Sequence, residues 1–176
     1  GGIFEMTDYS IVGPTGMQSL IMEANGLFKS SVAPGFAGPG IFPNSPSVRN
    51  DIETITLQSS STIEYSRVSP PLVNGDQVIT NTIAYQNLII GGSGIKTAPS
   101  TTLTVQGNLT KSGTSSFAHN NGLVLLNGSN QSFAGLDYYS LELTGNTKTT
   151  NGDASIADVL QLNTITTLAL QAGDSI

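Results

Sequence analysis

The chain contains no cysteine and no tryptophan, and only 10% of its 176 residues are charged. Without cysteine there is no disulfide framework, no thiolate metal site and no thiol nucleophile. An extracellular life stays open, because a long stacked fold needs no such staples. Six Lys and Arg, none clustered, stand against twelve Asp and Glu, for a net charge of −6. Nucleic-acid binding needs a basic stripe to neutralise phosphates, so that class is set aside. No apolar run approaches the ~18 residues required to span a bilayer; the longest, such as "GLVLLNG" at 122–128, are short. Helical signals are almost absent. "MTDYSIVGPTGMQSLIMEA" at 6–24 can be forced into a helix, but Pro14, Gly13 and Gly16 break it.

What is abundant is small and neutral: 20 Thr, 21 Ser, 14 Asn and 20 Gly. Such a surface is more typical of secreted β-rich proteins than of intracellular ones. The chain begins "GGIFEM", with neither initiator Met nor apolar signal region, and ends "LQAGDSI" in mid-pattern. It is therefore expected to be a segment of something longer. Short alternating runs of β-branched, aromatic and polar residues, bounded by Gly, Asn, Ser or Pro, predict strands. They include Gly2–Met6, Leu20–Glu23, Ile52–Leu57, Thr62–Tyr65, Gln77–Ile79, Leu88–Ile90, Leu103–Val105, Leu123–Leu126, Ser140–Thr144 and Thr164–Leu170.

The chain also repeats itself. "YQNLIIGGSGIKT" at 85–97 is echoed by "YYSLELTGNTKTT" at 138–150. Tyr85, Leu88 and Ile90 superpose on Tyr138, Leu141 and Leu143 at an offset of 53, and Lys96 meets Lys148 at 52. Gln77 precedes the first copy much as Gln131 precedes the second. Shorter apolar–polar–turn units recur in "LIMEANGLFKSS", "LTVQGNLTKSG" and "LQLNTITTLAL". A long unit of about 51–54 residues thus looks built from two coils of about 22–28.

These features predict an all-β parallel solenoid. Each coil offers strands whose inward side chains form one core layer, and coils stack at the ~4.8 Å strand spacing. Residues 1–176 are read as one solenoid segment of roughly seven coils, with repeat units at about 61–114 and 121–176. Leu88, Ile90, Leu141 and Leu143 are expected to stack as ladders inside, with Gly91-Gly92 and Thr144-Gly145 at corners. The alternative is a set of β-sandwich repeats, which also gives short, regularly spaced strands but leaves the preserved offset unexplained. Residues 31–50 interrupt the pattern with Pro34, Pro39, Pro43 and Pro46. They read as a loop insertion folding its aromatics onto the solenoid, or as a binding loop presenting Phe36 and Phe42.

"STIEYSRVSPPLVNGDQVITNTIAYQNLIIGGSGIKTAPSTTLTVQGNLTKSG" at 61–113 carries an S-T-I-E-Y strand, then Y-x-N-L-x-I-x-G-x-G-x-K-T and T-V-x-G-N-L-T. It resembles repeats of very large secreted surface proteins of Bacteroidetes, gliding-motility adhesins and other type IX secretion substrates. In the second copy Ser140 stands where the first has Asn87, and Asp158 where it has Gly107. The resemblance implies a filamentous architecture at the cell surface, with adhesion to a glycan or solid surface and neighbouring coils of the same chain as partners.

No catalytic constellation is legible. Glycosidases need two carboxyl groups about 5–10 Å apart, and the twelve acids here are scattered; Asp51 and Glu53 share one side of a strand, as a solvated face commonly does. His119, the only histidine, sits in the turn "FAHNNG" with no nucleophile beside it. "GGSGIKT" at 91–97 lacks the P-loop spacing and the following helix, and reads as a coil corner. Asp153 and Asp158 near Asn151 are the candidate calcium ligands, but their spacing fits neither an EF-hand nor a glycine- and aspartate-rich nonapeptide. No cofactor is expected. Candidate ligand contacts are Phe36, Phe42, Tyr138 and Tyr139, and "DSI" at 174–176 offers Ser175 as a candidate O-glycosylation site. The expectation is a non-catalytic structural or adhesive segment. The alternatives are a secreted polysaccharide-acting β-helix enzyme and a carbohydrate-binding module.

Overall fold

A computed structural model of the chain describes residues 2–6, 19–38, 46–49, 52, 54–69 and 74–176. These residues form short strands and turns with no helix. Every strand pairing among them is parallel, and the sheets wind as a three-sided solenoid. The first face stacks eight strands: Ile3–Met6, Leu27–Ser30, Thr62–Tyr65, Asn87–Ile90, Leu109–Lys111, Gln131–Ala134, Thr147–Asn151 and Thr167–Ala169. The second holds Ser19–Met22 beside Thr54–Leu57, then Thr102–Val105, Leu123–Leu126, Ser140–Thr144 and Leu160–Asn163. The third is built of short pieces, among them Gln77–Val78, Ile95–Thr97 and Ser116–Ala118, and further along Asp137–Tyr138 beside Ser155–Ile156.

Eight strands on one face make seven turns, a stack of about 34 Å at the spacing of neighbouring strands. Paired residues on the first face (Ile3↔Leu27, Leu27↔Thr62, Thr62↔Asn87, Leu88↔Leu109, Leu109↔Phe133, Gln131↔Lys148, Thr147↔Thr167) lie 24, 35, 25, 21, 24, 17 and 20 residues apart. The turn of 35 residues carries the Pro/Gly-rich insertion; Phe42 and the rest of 39–45 lie outside the described residues.

Alternation selects the core. On the first face Phe28, Ile63, Leu88, Leu109 and Phe133 stack one above another, each almost wholly buried. On the second, Leu103, Val124 and Leu141 form one ladder and Val105, Leu126 and Leu143 another. Each turn hides its apolar side chains only against its neighbours, which is why no single turn is a stable unit.

The expected ladders are present, but the 53-residue offset is not the solenoid's period. Leu88 and Ile90 belong to the first face, whereas Leu141 and Leu143 belong to the second. Two turns along the first face carry Leu88 to Phe133, 45 residues on. The repeated sequence is therefore written one face out of phase. The same local pattern thus serves on different faces in its two copies. The stretch 164–170, expected as one strand, is a turn through Thr164, at φ 56°, followed by Thr167–Ala169. The "GGSGIKT" corner runs directly into the strand Ile95–Thr97.

Candidate functional site

Two groups of polar residues stand out, one inside the solenoid and one on its surface. The interior group is a lock that occurs twice. Lys96 is fully buried, and its Nζ donates to the carbonyls of Arg67 at 3.1 Å, Gly75 at 2.5 Å and Ser93 at 2.9 Å. It stacks directly on Gln77, whose Nε2 donates to the carbonyls of Ser30 at 2.8 Å and Val32 at 2.9 Å, while its Oε1 accepts from the Arg67 amide. One face out of phase, Lys148 stacks on Gln131. Lys148 Nζ donates to the Gly128 carbonyl and, at 2.5 Å, to Gln131 Oε1. Gln131 Nε2 donates to the carbonyls of Val105 and Gly107, and its Oε1 also accepts from the Gly128 amide.

The glycines make these cages possible. Gly94 and Gly145 precede the two lysines at φ +71° and +104°, the left-handed region that side chains disfavour. A Cβ on Gly94 would sit 2.5 Å from the Gly75 backbone, and one on Gly145 2.3 Å from the Gly128 carbonyl oxygen. Successive corners therefore approach closely enough for backbone carbonyls to converge on an ammonium. Burial pushes the Lys96 amine down to about 8, the neighbouring Arg67 charge adding to the effect and Asp76 opposing it. Burial lowers Lys148 as well. Each repeat also points a tyrosine inward. Tyr85 Oη donates to the Thr80 carbonyl at 3.0 Å and lies 2.6 Å from Tyr65 Oη, which accepts from the Thr80 amide. Tyr138 Oη donates to the Ala134 carbonyl at 2.7 Å. Burial pushes Tyr65 up to about 12 and raises Tyr85 and Tyr138 well above the ordinary phenol range.

The surface group is a groove of about 450 Å³ where the third face turns into the second. Val78 and Pro99 give it apolar surface; Asn81, Ser100, Thr101 and Asn120 give it exposed hydroxyl and carboxamide groups. No charged side chain lines it among the described residues. His119, adjoining Asn120, stacks on Tyr139 of the next turn with ring centroids 5.6 Å apart.

No protein-family model, no curated protein and no solved structure matches the chain. Residue chemistry alone therefore bears on function.

Of the candidate ligand contacts, Phe36 and Tyr138 are corrected: they are 0% and 1% exposed. Phe36 packs edge-on to Phe28 at 4.9 Å, and Tyr138 lies between Phe117 and Phe133, so neither presents a surface to a ligand. Tyr139 is half-buried against His119. Ser175 is exposed, and its amide and hydroxyl both donate to Asp153 Oδ1. Asp158 accepts instead from Ser140 Oγ, so the two candidate calcium ligands serve different partners. Among the described residues no three acidic or histidine side chains gather as a metal site. Asp8, Asp51 and Glu53 lie outside the described residues.

Sequence reasoning missed the lysine cages. The signal was present as Gly-x-Gln followed one turn later by Gly-x-Lys (75–77 and 94–96), and as Gly-x-x-Gln and Gly-x-x-Lys at 128–131 and 145–148. A lysine in a glycine turn is ordinarily read as solvated, and that habit hid it.

Proposed function

We propose that the chain is a non-catalytic rod segment of a secreted, filamentous surface adhesin, serving surface attachment or gliding. The observation that supports this reading most is the unbroken first face, whose core residues stay in register from turn to turn. Such a stack shares an axial load among many backbone hydrogen bonds. The lysine cages add ties between successive turns, each joining carbonyls contributed by different parts of the winding. A surface of Thr, Ser and Asn, with few charges to be screened by salt, suits an extracellular rod.

The test is retention of cells. Beads coated with the chain should hold cells or a glycan-coated surface under flow, and the chain should release no reducing sugar from a panel of polysaccharides. Release of sugar would replace this reading with that of a polysaccharide-acting β-helix enzyme.

A further inference from the structure

We propose that the groove between the third and second faces is a binding site for a neutral polysaccharide. The inference rests on the adhesive reading and names its ligand class.

The lining decides the chemistry. In a chain of net charge −6, the groove presents no charged side chain among the described residues. A phosphorylated, sulfated or uronic-acid ligand would find no cation there, and a basic one no carboxylate. The exposed groups are the carboxamides of Asn81 and Asn120 and the hydroxyls of Ser100 and Thr101; Asn81 donates to the Thr101 hydroxyl at 2.7 Å, which leaves the Asn81 carbonyl to accept and the Thr101 hydroxyl to donate. A sugar hydroxyl needs that dual capacity. Val78 and Pro99 offer apolar surface for the C–H faces of a pyranose, and the His119–Tyr139 stack continues the track into the next turn.

An extended peptide would need free backbone groups to pair with. Here they are already engaged. The Ile79 amide donates to the Thr97 carbonyl, the Ala98 amide to the Ala118 carbonyl, the Thr80 amide to Tyr65, and the Thr80 carbonyl accepts from Tyr85. Recognition falls to side-chain hydroxyls and amides, which favours a glycan over a β-strand.

The experiment is affinity electrophoresis of the whole chain through gels carrying dextran, mannan or laminarin as neutral probes, or alginate as an anionic one. At least one neutral polysaccharide should retard the protein, and alginate should not. Ser100→Glu places a carboxylate in the groove at an exposed position and should weaken retardation about tenfold; Tyr139→Ala should weaken it too. Thr114→Glu, exposed outside the groove, should stay within twofold of the parent. The proposal is overturned if no neutral polysaccharide retards the protein, if alginate retards it equally, if Ser100→Glu binds as the parent does, or if neutral extended peptides compete for the site. Failure here with cell retention intact would leave the rod reading standing; loss of both would remove the two together.

Discussion

Replacing Gln131 by Met keeps the side chain's length and removes its polar end. In the native fold that carboxamide donates to the Val105 and Gly107 carbonyls and accepts from the Gly128 amide and Lys148 Nζ. The Val105 carbonyl still accepts from the Asn127 amide, and Lys148 still reaches Gly128. Two groups lose this partner, the Gly107 carbonyl and the Gly128 amide, both in partly buried bonds. A fully buried orphan costs about 1–3 kcal/mol, so two partly buried ones should cost about 2 kcal/mol at the low end. Met fills the same space, so no cavity is added. With a denaturant slope of about 1–3 kcal/mol/M, the urea midpoint should fall by roughly 1 M. Gln106→Met, which removes only an exposed bond from Gln86, is the matched control and should cost under about 0.5 kcal/mol. Combining Gln131→Met with Lys148→Met should cost less than the sum of the two, because the variants share a bond. Equal midpoints for Gln131→Met and Gln106→Met, or strict additivity with Lys148→Met, would refute the lock.

Three further outcomes follow from the same geometry. Gly145→Ala meets both a positive φ and the Gly128 carbonyl 2.3 Å from the new Cβ, whereas Gly152→Ala meets only φ +100° with 3.6 Å of clearance; thermal melts should show the first clearly more damaging, the second costing about 1 kcal/mol. Tyr65→Phe leaves the buried Thr80 amide without its phenol partner and should cost about 1–2 kcal/mol in urea unfolding, with Tyr139→Phe near zero. For pH, the folded Lys96 amine is lowered by burial to about 8 from 10.5, so the unfolded chain binds more protons between those values and stability should rise with pH across that window. The folded phenols of Tyr65, Tyr85 and Tyr138 are raised by burial above 10.0, Tyr65 to about 12, so the unfolded chain loses protons first and stability should fall as pH climbs past 10. Urea midpoints at pH 7.5, 9.5 and 11.5 should peak at the middle value; a monotonic trend would contradict the assignment of these burials.

How much of this was readable in the sequence depends on local contrast. Thr62–Tyr65 alternates polar with apolar residues, Leu123–Leu126 is a short apolar run between turn formers, and both strands appear where expected. Thr147–Asn151 is a strand made entirely of polar residues, with Lys148 and Thr150 turned inward, and hydrophobic patterning cannot see it. Phe36 and Tyr138 look like ligand contacts on a loop and a strand end, yet both are buried. Which side of a short segment faces in is set by the neighbouring turn, and a short segment carries little record of that. The 53-residue match is a real likeness of local design, since Gln, Tyr, Leu and Lys recur in the same roles. Its shift by one face is invisible in the sequence, because the motif records local contacts and not the face on which they fall.

The most direct test of the fold is a ruler along the first face. Lys29, Glu64, Ile89 and Thr110 lie in one column, and the Leu109↔Phe133 and Ala134↔Asn151 registers extend it to Asn151. Spin labels on the double-cysteine chains Lys29→Cys/Thr110→Cys, Glu64→Cys/Asn151→Cys and Lys29→Cys/Asn151→Cys span three, four and five turns. Their backbone separations should be about 14, 19 and 24 Å, rising by one strand spacing per turn. Distances that fail to lengthen with the number of turns would contradict the stacked solenoid.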